Sequence, residues 1–272
     1  MAGRSAPRPP RQLHEALVLA ARDFGEGHRV VELLTPGLGR ITAFANHARA
    51  SSRRFGGGLQ PMWAIEAALV PKVGADTFRL EEARVLRSRA RLAGALDAIA
   101  LGSYLVQLTG ALARDAQPQP ALFALCEAGL AALEEGRWPP WGRVAFELGA
   151  LAIYGGAPSL EVCVGCGALS EGERARFAPS RGGLLCPRCG PGWLPGDQVL
   201  SRHTLLALRA LAQAGGAPEV LARAAKLPAD AEAIRAAEGA TEALVRGVAD
   251  RPLKALDFLH DLRASGQPSE TP

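Results

Sequence analysis

Residues Glu15 to Asn46 read EALVLAARDFGEGHRVVELLTPGLGRITAFAN. Three runs rich in aliphatic residues, 15–24, 28–35 and 39–46, are separated by turn signals at Gly25-Glu26-Gly27 and Pro36-Gly37. Glycine and proline at this spacing interrupt a helix and join short strands. A basic, glycine-containing loop follows, and then two more runs: PMWAIEAALVPKV at 61–73 and TFRLEEARVLR at 77–87, with a turn around Gly74-Ala75-Asp76. Five short strands with no long helical stretch among them predict a small closed barrel, because closure removes the unpaired edges that invite aggregation. An OB-type barrel over 11–88 is the expectation and an SH3-like barrel the alternative, since hydrophobic period carries no strand order.

On the N-terminal side, MAGRSAPRPP (1–10) is basic and proline-rich without an apolar core segment, which predicts a loose, disordered tail rather than a signal peptide. On the other side the period changes. Leu92, Leu96, Ile99, Leu105, Leu108 and Leu112 recur at helical intervals and stop before QPQP at 117–120. Further helical runs are expected at about 120–135, 141–153, 199–214, 230–249 and 254–264, and a disordered tail at 265–272. The fold class expected is therefore α+β and multidomain: a five-stranded barrel, then an α-helical domain made of 89–160 and 196–264, interrupted by an insertion at 161–195. No run approaches the length of apolar residues a membrane span needs, which predicts a soluble cytoplasmic protein without a membrane partner.

The insertion carries CVGC at 163–166 and CPRC at 186–189, a C-x2-C-x19-C-x2-C pattern. Two Cys-x-x-Cys turns brought together place four soft ligands at tetrahedral corners, so Cys163, Cys166, Cys186 and Cys189 are expected to bind zinc. Gly167 and Gly190, which follow the pairs, let the chain turn tightly there. A disulfide pair or a redox motif of thioredoxin type are the competing readings; a single pair near a βαβ pattern would mark the latter. Four thiolates close the coordination shell, so the expected role of zinc is structural. Cys126, in an apolar helical run, reads as a small buried hydrophobe.

Charge is uneven along the chain. The net charge is +4, yet residues 1–90 alone carry fourteen Lys and Arg against eight Asp and Glu. The loop NHARASSRRFGGG at 46–58 sets Arg49, Arg53 and Arg54 beside small hydroxyl residues and three glycines, a composition that suits phosphate contacts. Phe55 is the candidate for base stacking, Phe44, Trp63 and Phe78 are assigned to the core, and Arg29, Arg40, Lys72 and Arg79 extend a cationic groove. Catalytic arrangements are not found. Glu81-Glu82 and Glu134-Glu135 are neighbours that face no common point, the five histidines are scattered, and the glycines match neither a dinucleotide fingerprint nor a P-loop. The chain is not expected to be an enzyme.

Taken in order, EALVLAARDFGEGHRVVELLTPGLGRITAFANHAR, SRRFGGGLQP, the four cysteines and RPLKALDFLHDL resemble the bacterial RecO family of DNA repair and recombination mediators over nearly the whole length. That resemblance implies an OB-fold, an α-helical domain and a zinc ribbon. It implies binding of single- and double-stranded DNA, annealing of complementary strands without ATP, and action with RecR to help load RecA onto strands covered by SSB. Carried onto this chain, it implies DNA contacts at Arg40, Arg49, Arg53, Arg54, Lys72 and Arg79, and zinc on Cys163, Cys166, Cys186 and Cys189. It further implies a pocket in the helical domain for the SSB C-terminal tail, with Arg114, Arg137, Arg143, Arg202 and Arg209 as rim candidates. The family's basic loop is often richer in lysine, and His28 stands where an acidic residue is frequent. The rival readings are an RNA-binding or transcription-associated module, an enzyme with a catalytic metal, and a structural adaptor.

Overall fold

The computed structural model describes residues 10–48, 51–72, 74–170, 172–190 and 192–265. The expected terminal tails, apart from Pro10 and Ser265, lie outside the described residues. The chain divides into two compact units. The first comprises the described residues up to Ala90 together with Ala113–Phe123, and the second holds the rest.

In the first unit, strands β1 (Gln12–Phe24), β2 (His28–Thr35), β3 (Gly39–Ala45), β4 (Ala64–Pro71) and β5 (Thr77–Arg87) close in the order β1-β2-β3-β5-β4. Closure between β3 and β5 is parallel, with Phe44 opposite Arg79, and all other pairs are antiparallel. This connectivity is the OB-type arrangement and sets the SH3-like alternative aside. Ala16, Val18, Val31, Leu33, Ile41, Ala43, Leu69 and Leu80 fill the interior. The burial of β3 alternates strictly, with Gly39, Ile41, Ala43 and Ala45 inward and Arg40, Thr42 and Phe44 outward. One helical turn, α1 (Ser52–Phe55), lies in the connection between β3 and β4.

Residues 113–119 belong to this unit, not to the helical one expected for 89–160. They are bonded to the β2–β3 hairpin: Arg40 N donates to Arg114 O (3.1 Å), Ala116 N to Arg40 O (3.2 Å) and Gln119 N to Pro36 O (2.9 Å). The Arg40 guanidinium pairs with both oxygens of Asp115, Nε to Oδ1 at 2.6 Å and Nη2 to Oδ2 at 3.2 Å. Gly39 makes the approach possible. Its φ is +68°, and a Cβ there would lie 2.0 Å from Gln117 O. A local reading of the sequence cannot place this segment because its partners lie about 75 residues away.

The second unit contains α2 (Leu96–Leu112), α3 (Pro120–Glu134) from Ala124 onward, α4 (Gly142–Tyr154), α5 (Arg202–Ala212), α6 (Glu219–Ala224), α7 (Ala231–Val248) and α8 (Lys254–Ala264). Helix α4 is buried from Gly142 to Leu151 and packs against α5, α6 and α7, so it forms the axis of the helical core. Helix starts and stops follow their local chemistry: Ser201 caps α5 through Thr204 N, Asp230 caps α7 through Glu232 N and Ala233 N, and left-handed Gly155 ends α4. Strands β6 (Ser159–Cys163), β7 (Arg174–Ala178), β8 (Gly183–Leu185) and β9 (Gln198–Ser201) form the ribbon sheet in the order β6-β8-β7-β9. The ribbon therefore runs past residue 195, and α5 begins at Arg202 rather than at 199, because 198–201 pair with β7.

One buried ionic cluster lies within the helical core. Arg143, 5% exposed, faces Glu147, Glu238 and Glu242 at 3.7, 3.2 and 3.4 Å. Glu147 also accepts hydrogen bonds from the Tyr104 hydroxyl (2.5 Å) and from Thr241 Oγ1. Burial pushes the Glu147 carboxyl up to about 7, against the opposing pull of Arg143.

Two outcomes are expected. Gly39→Ala should lower stability by about 2 kcal/mol or more, since it adds both strain and a backbone collision; an unchanged thermal midpoint would contradict the packing described. For Glu147 the folded pKa stands above the unfolded one, so the folded chain holds a proton that the unfolded chain releases. Its contribution is present below pH 4.5 and is lost as pH rises towards about 7. Melting curves across that window should fall more steeply for the wild type than for Glu147→Gln, and parallel profiles would contradict the assignment.

Candidate functional site

The outward face of the barrel carries an aromatic and cationic patch. Parity on β3 turns Phe44 outward, and Phe24, at the end of β1, is 58% exposed. The two rings meet edge to face with centroids 6.1 Å apart. Lys72 Nζ stands 3.9 Å from the Phe44 ring centroid, a cation–π contact that keeps the ammonium beside the ring. Arg79 is opposite Phe44 across the β3–β5 pairing and forms an ion pair with Glu81 at 3.0 Å. At the rim, the His28 and His47 rings are tilted by 47° to each other with centroids 4.7 Å apart. An exposed ring and a half-buried one beside cations are the kind of surface on which single-strand binders stack unpaired bases and meet phosphates.

The sequence-expected residues divide. Arg53 is exposed, and Arg54 is aimed by Ser51 Oγ (3.0 Å) and Asn46 O (2.9 Å). Lys72 and Arg79 lie on the patch, and Arg49 falls outside the described residues. Three expectations need correction. Phe55 is 2% exposed and packs in the barrel core, so it offers no stacking face; α1 turns it inward, and the Arg54 guanidinium lies 5.0 Å from its ring. The three glycines serve that turn. Gly56 and Gly57 have positive φ, and a Cβ at Gly58 would lie 2.8 Å from Val85 Cγ2. Arg40 is 13% exposed and occupied by Asp115, so it holds the hairpin rather than extending a groove. Phe44, expected in the core, faces outward, and it is joined there by Phe24, to which the sequence assigned no role. For Phe44 the signal was present, since it shares strand parity with Arg40 and Thr42; for Phe24 a register shift between Val18 and Ala20 hides it.

Four of the arginines considered for a pocket rim are already engaged. Arg143 is buried in its cluster, Arg137 pairs with Glu135, Arg202 pairs with Glu173, and Arg209 donates to Leu160 O (2.7 Å) and Ser170 O (3.1 Å).

In the ribbon, the Sγ atoms of Cys163, Cys166, Cys186 and Cys189 all lie within 4.8 Å of one another. A tetrahedral metal with bonds of about 2.3 Å places sulfurs roughly 3.8 Å apart, and Cys166 and Cys186 stand at 3.7 Å. The amides of Cys186 and Gly165 point at Cys163 Sγ, at 3.3 and 3.4 Å, and hold its thiol down at about 6. Hydrogen bonding with Cys166 and Cys186 raises the Cys189 thiol to about 12, as expected when four thiols crowd together and cannot all ionise without a cation among them. The donor set fits a thiolate-preferring metal ion. Gly167 has φ +74°, a Cβ at Gly190 would lie 2.5 Å from Arg176 Nη1, and one at Gly165 would lie 2.8 Å from Cys189 Cβ.

An OB-type barrel followed by a helical unit that carries a four-cysteine ribbon defines a class of two-unit proteins with a thiol cluster that could hold a metal ion. Within that class the chain belongs to the RecO family. Residues 12–89 match the model for Recombination protein O N terminal, and 93–257 that for Recombination protein O C terminal. The chain is 44% identical over 200 residues to the DNA repair protein RecO of Anaeromyxobacter sp. (strain Fw109-5), covering 73% of this chain and 78% of that one. It is 41% identical over 247 residues to that of Anaeromyxobacter dehalogenans (strain 2CP-C), covering 90% and 94%. With the DNA repair protein RecO of Myxococcus xanthus (strain DK1622) it shares 36% over 245 residues, covering 90% and 95%. Among the described residues no helix is long and apolar enough to cross a membrane.

Proposed function

We propose that the chain is a DNA-binding recombination mediator of DNA repair, acting in the cytoplasm. It binds single and double strands, anneals complementary strands without ATP and, with RecR, helps RecA load onto SSB-coated DNA. The observation that carries the reading is the barrel patch, where Phe24 and Phe44 present rings beside Lys72 and Arg79. Family membership supports it.

Annealing brings two polyanions together. Arg53, Arg54, Lys72 and Arg79 neutralise phosphates, release counterions and lower the repulsion between strands. With two aromatic rings at the patch, only a base or two is held at a time, and the remaining bases stay free to find complements. The work comes from binding energy, and no catalytic step is assigned. The SSB tail is proposed to dock on the helical unit, although Arg143, Arg137, Arg202 and Arg209 are too engaged to receive it without exchanging partners. In the ribbon, Cys163, Cys166, Cys186 and Cys189 would hold zinc. Bound there, zinc supplies a cross-link between the two knuckles and leaves no open position for substrate.

Measured by anisotropy, single-strand affinity should fall with salt at a log–log slope of roughly −3 for four phosphate contacts, and each Arg53→Ala, Arg54→Ala or Lys72→Ala change should flatten it by about 0.7. The triple variant should lose strand annealing, bare or SSB-coated. A salt-independent affinity, or stronger binding to structured RNA than to single-stranded DNA, would overturn the reading. Metal analysis should find one zinc per chain. Cys186→Ser should lose it and lower the melting temperature; a metal-free wild type, or metal loss that leaves the melting temperature unchanged, would contradict a structural centre.

A further inference from the structure

The ribbon bears a second aromatic and cationic feature that the barrel reading does not use. Trp193 is 62% exposed, a large apolar area to leave in water. It is held in place on both sides. Arg176 donates to the carbonyl oxygens of Gly190 and Gly192 and pairs with buried Asp197, and Asp197 Oδ2 accepts from Leu194 N at 2.9 Å. The same Arg176 guanidinium lies 5.0 Å from the indole centroid, covering one side of the ring. An indole with one face backed by a cation, its neighbours fixed and the rest open, is preorganised for a flat partner.

Trp193 edges a cavity of about 550 Å³. Apolar Leu169, Leu184 and Leu185 line it, its charged lining residues are Arg174 and Arg176, and no carboxylate is among the lining residues. Arg174 is exposed, and so is Arg188, next in sequence to the lining residue Pro187. A planar apolar face with cations around it matches a nucleotide, whose base is flat and whose phosphates are negative.

We infer that this face of the ribbon is a second single-strand contact, in which an unpaired base stacks on the open side of Trp193 while Arg174 and Arg188 meet the flanking phosphates. The inference rests on the reading of the chain as a DNA-binding protein and extends it to a surface outside the barrel. A strand held at two points is less able to fold back on itself, and its intervening bases stay available for pairing.

The test uses the full, metal-loaded chain with two labelled probes of equal length, an oligo(dT) strand and an abasic strand that keeps the phosphates but lacks bases. Trp193→Ala should weaken oligo(dT) binding about tenfold and leave the abasic strand unchanged, and Trp193→Phe should recover most of the loss. Circular dichroism and metal content, both unaltered in the variants, establish that the ribbon is intact. An unchanged oligo(dT) affinity in Trp193→Ala would overturn the inference and leave the cavity to a protein segment. Equal losses on both probes would overturn base stacking. If the wild type binds neither probe, the DNA-binding reading itself fails; if it binds both and only the Arg53→Ala, Arg54→Ala, Lys72→Ala variant weakens, the barrel reading stands and the ribbon contact falls.

Discussion

Closing a sheet of five strands into a barrel imposes a narrow interior, and much of the N-terminal unit follows from that limit. Ala16, Ala43, Ala45, Ala67 and Ala83 occupy inward positions among the larger aliphatic residues. Alternation along β3 puts Phe44 on the outer face, where Phe24 and Lys72 meet it. Phe55 enters the core from the connection between β3 and β4, carried inward by a helical turn. Strand parity and this turn therefore empty one expected stacking position and fill another. Parallel pairing of β3 with β5 completes the circle and sets Arg79 beside Phe44, so the chemistry of the face is a product of strand order.

What could be read from the sequence was whatever is encoded locally. The strands at His28–Thr35 and Thr77–Arg87 agree with their expected bounds to the residue, since alternation and turn glycines mark both ends. The cysteine spacing was equally direct: two knuckles of fixed geometry need only to meet, and their sulfurs do. What escaped depends on distance along the chain. Nothing near Arg40 announces Asp115, and nothing in the polar ARDAQPQ announces that 113–119 would bond to a hairpin formed long before it. Strand β9 was mistaken for the start of a helix because four residues are too few to show a period, and pairing with β7 decides the matter.

Arginine content is a poor guide to where this protein meets a polyanion. Arg40, Arg143, Arg176 and Arg209 are spent inside the structure, holding a hairpin, a helical core, an indole-bearing loop and a strand end. Each is multiply bonded, as suits a planar donor with five N–H groups. Other cations stay on the surface, and on the barrel Lys72 stands beside an aromatic ring. That division between structural and available arginine is invisible to a charge count, and it accounts for a net charge of only +4 being compatible with a concentrated cationic face.

The clamp between Arg40 and Asp115 also bears on how the protein is made. A chain leaves the ribosome from its N-terminus, and a domain folds once its last necessary segment has emerged. Strand β5 ends at Arg87, but the hairpin keeps open hydrogen-bonding groups at Pro36 and Arg40 until Gln119 arrives. During synthesis the barrel therefore passes through an interval, on the order of seconds, in which all five strands exist and the hairpin is still unclosed. The part that matures as one body is longer than the barrel itself, and its final stitch is supplied by residues that follow the first long helix.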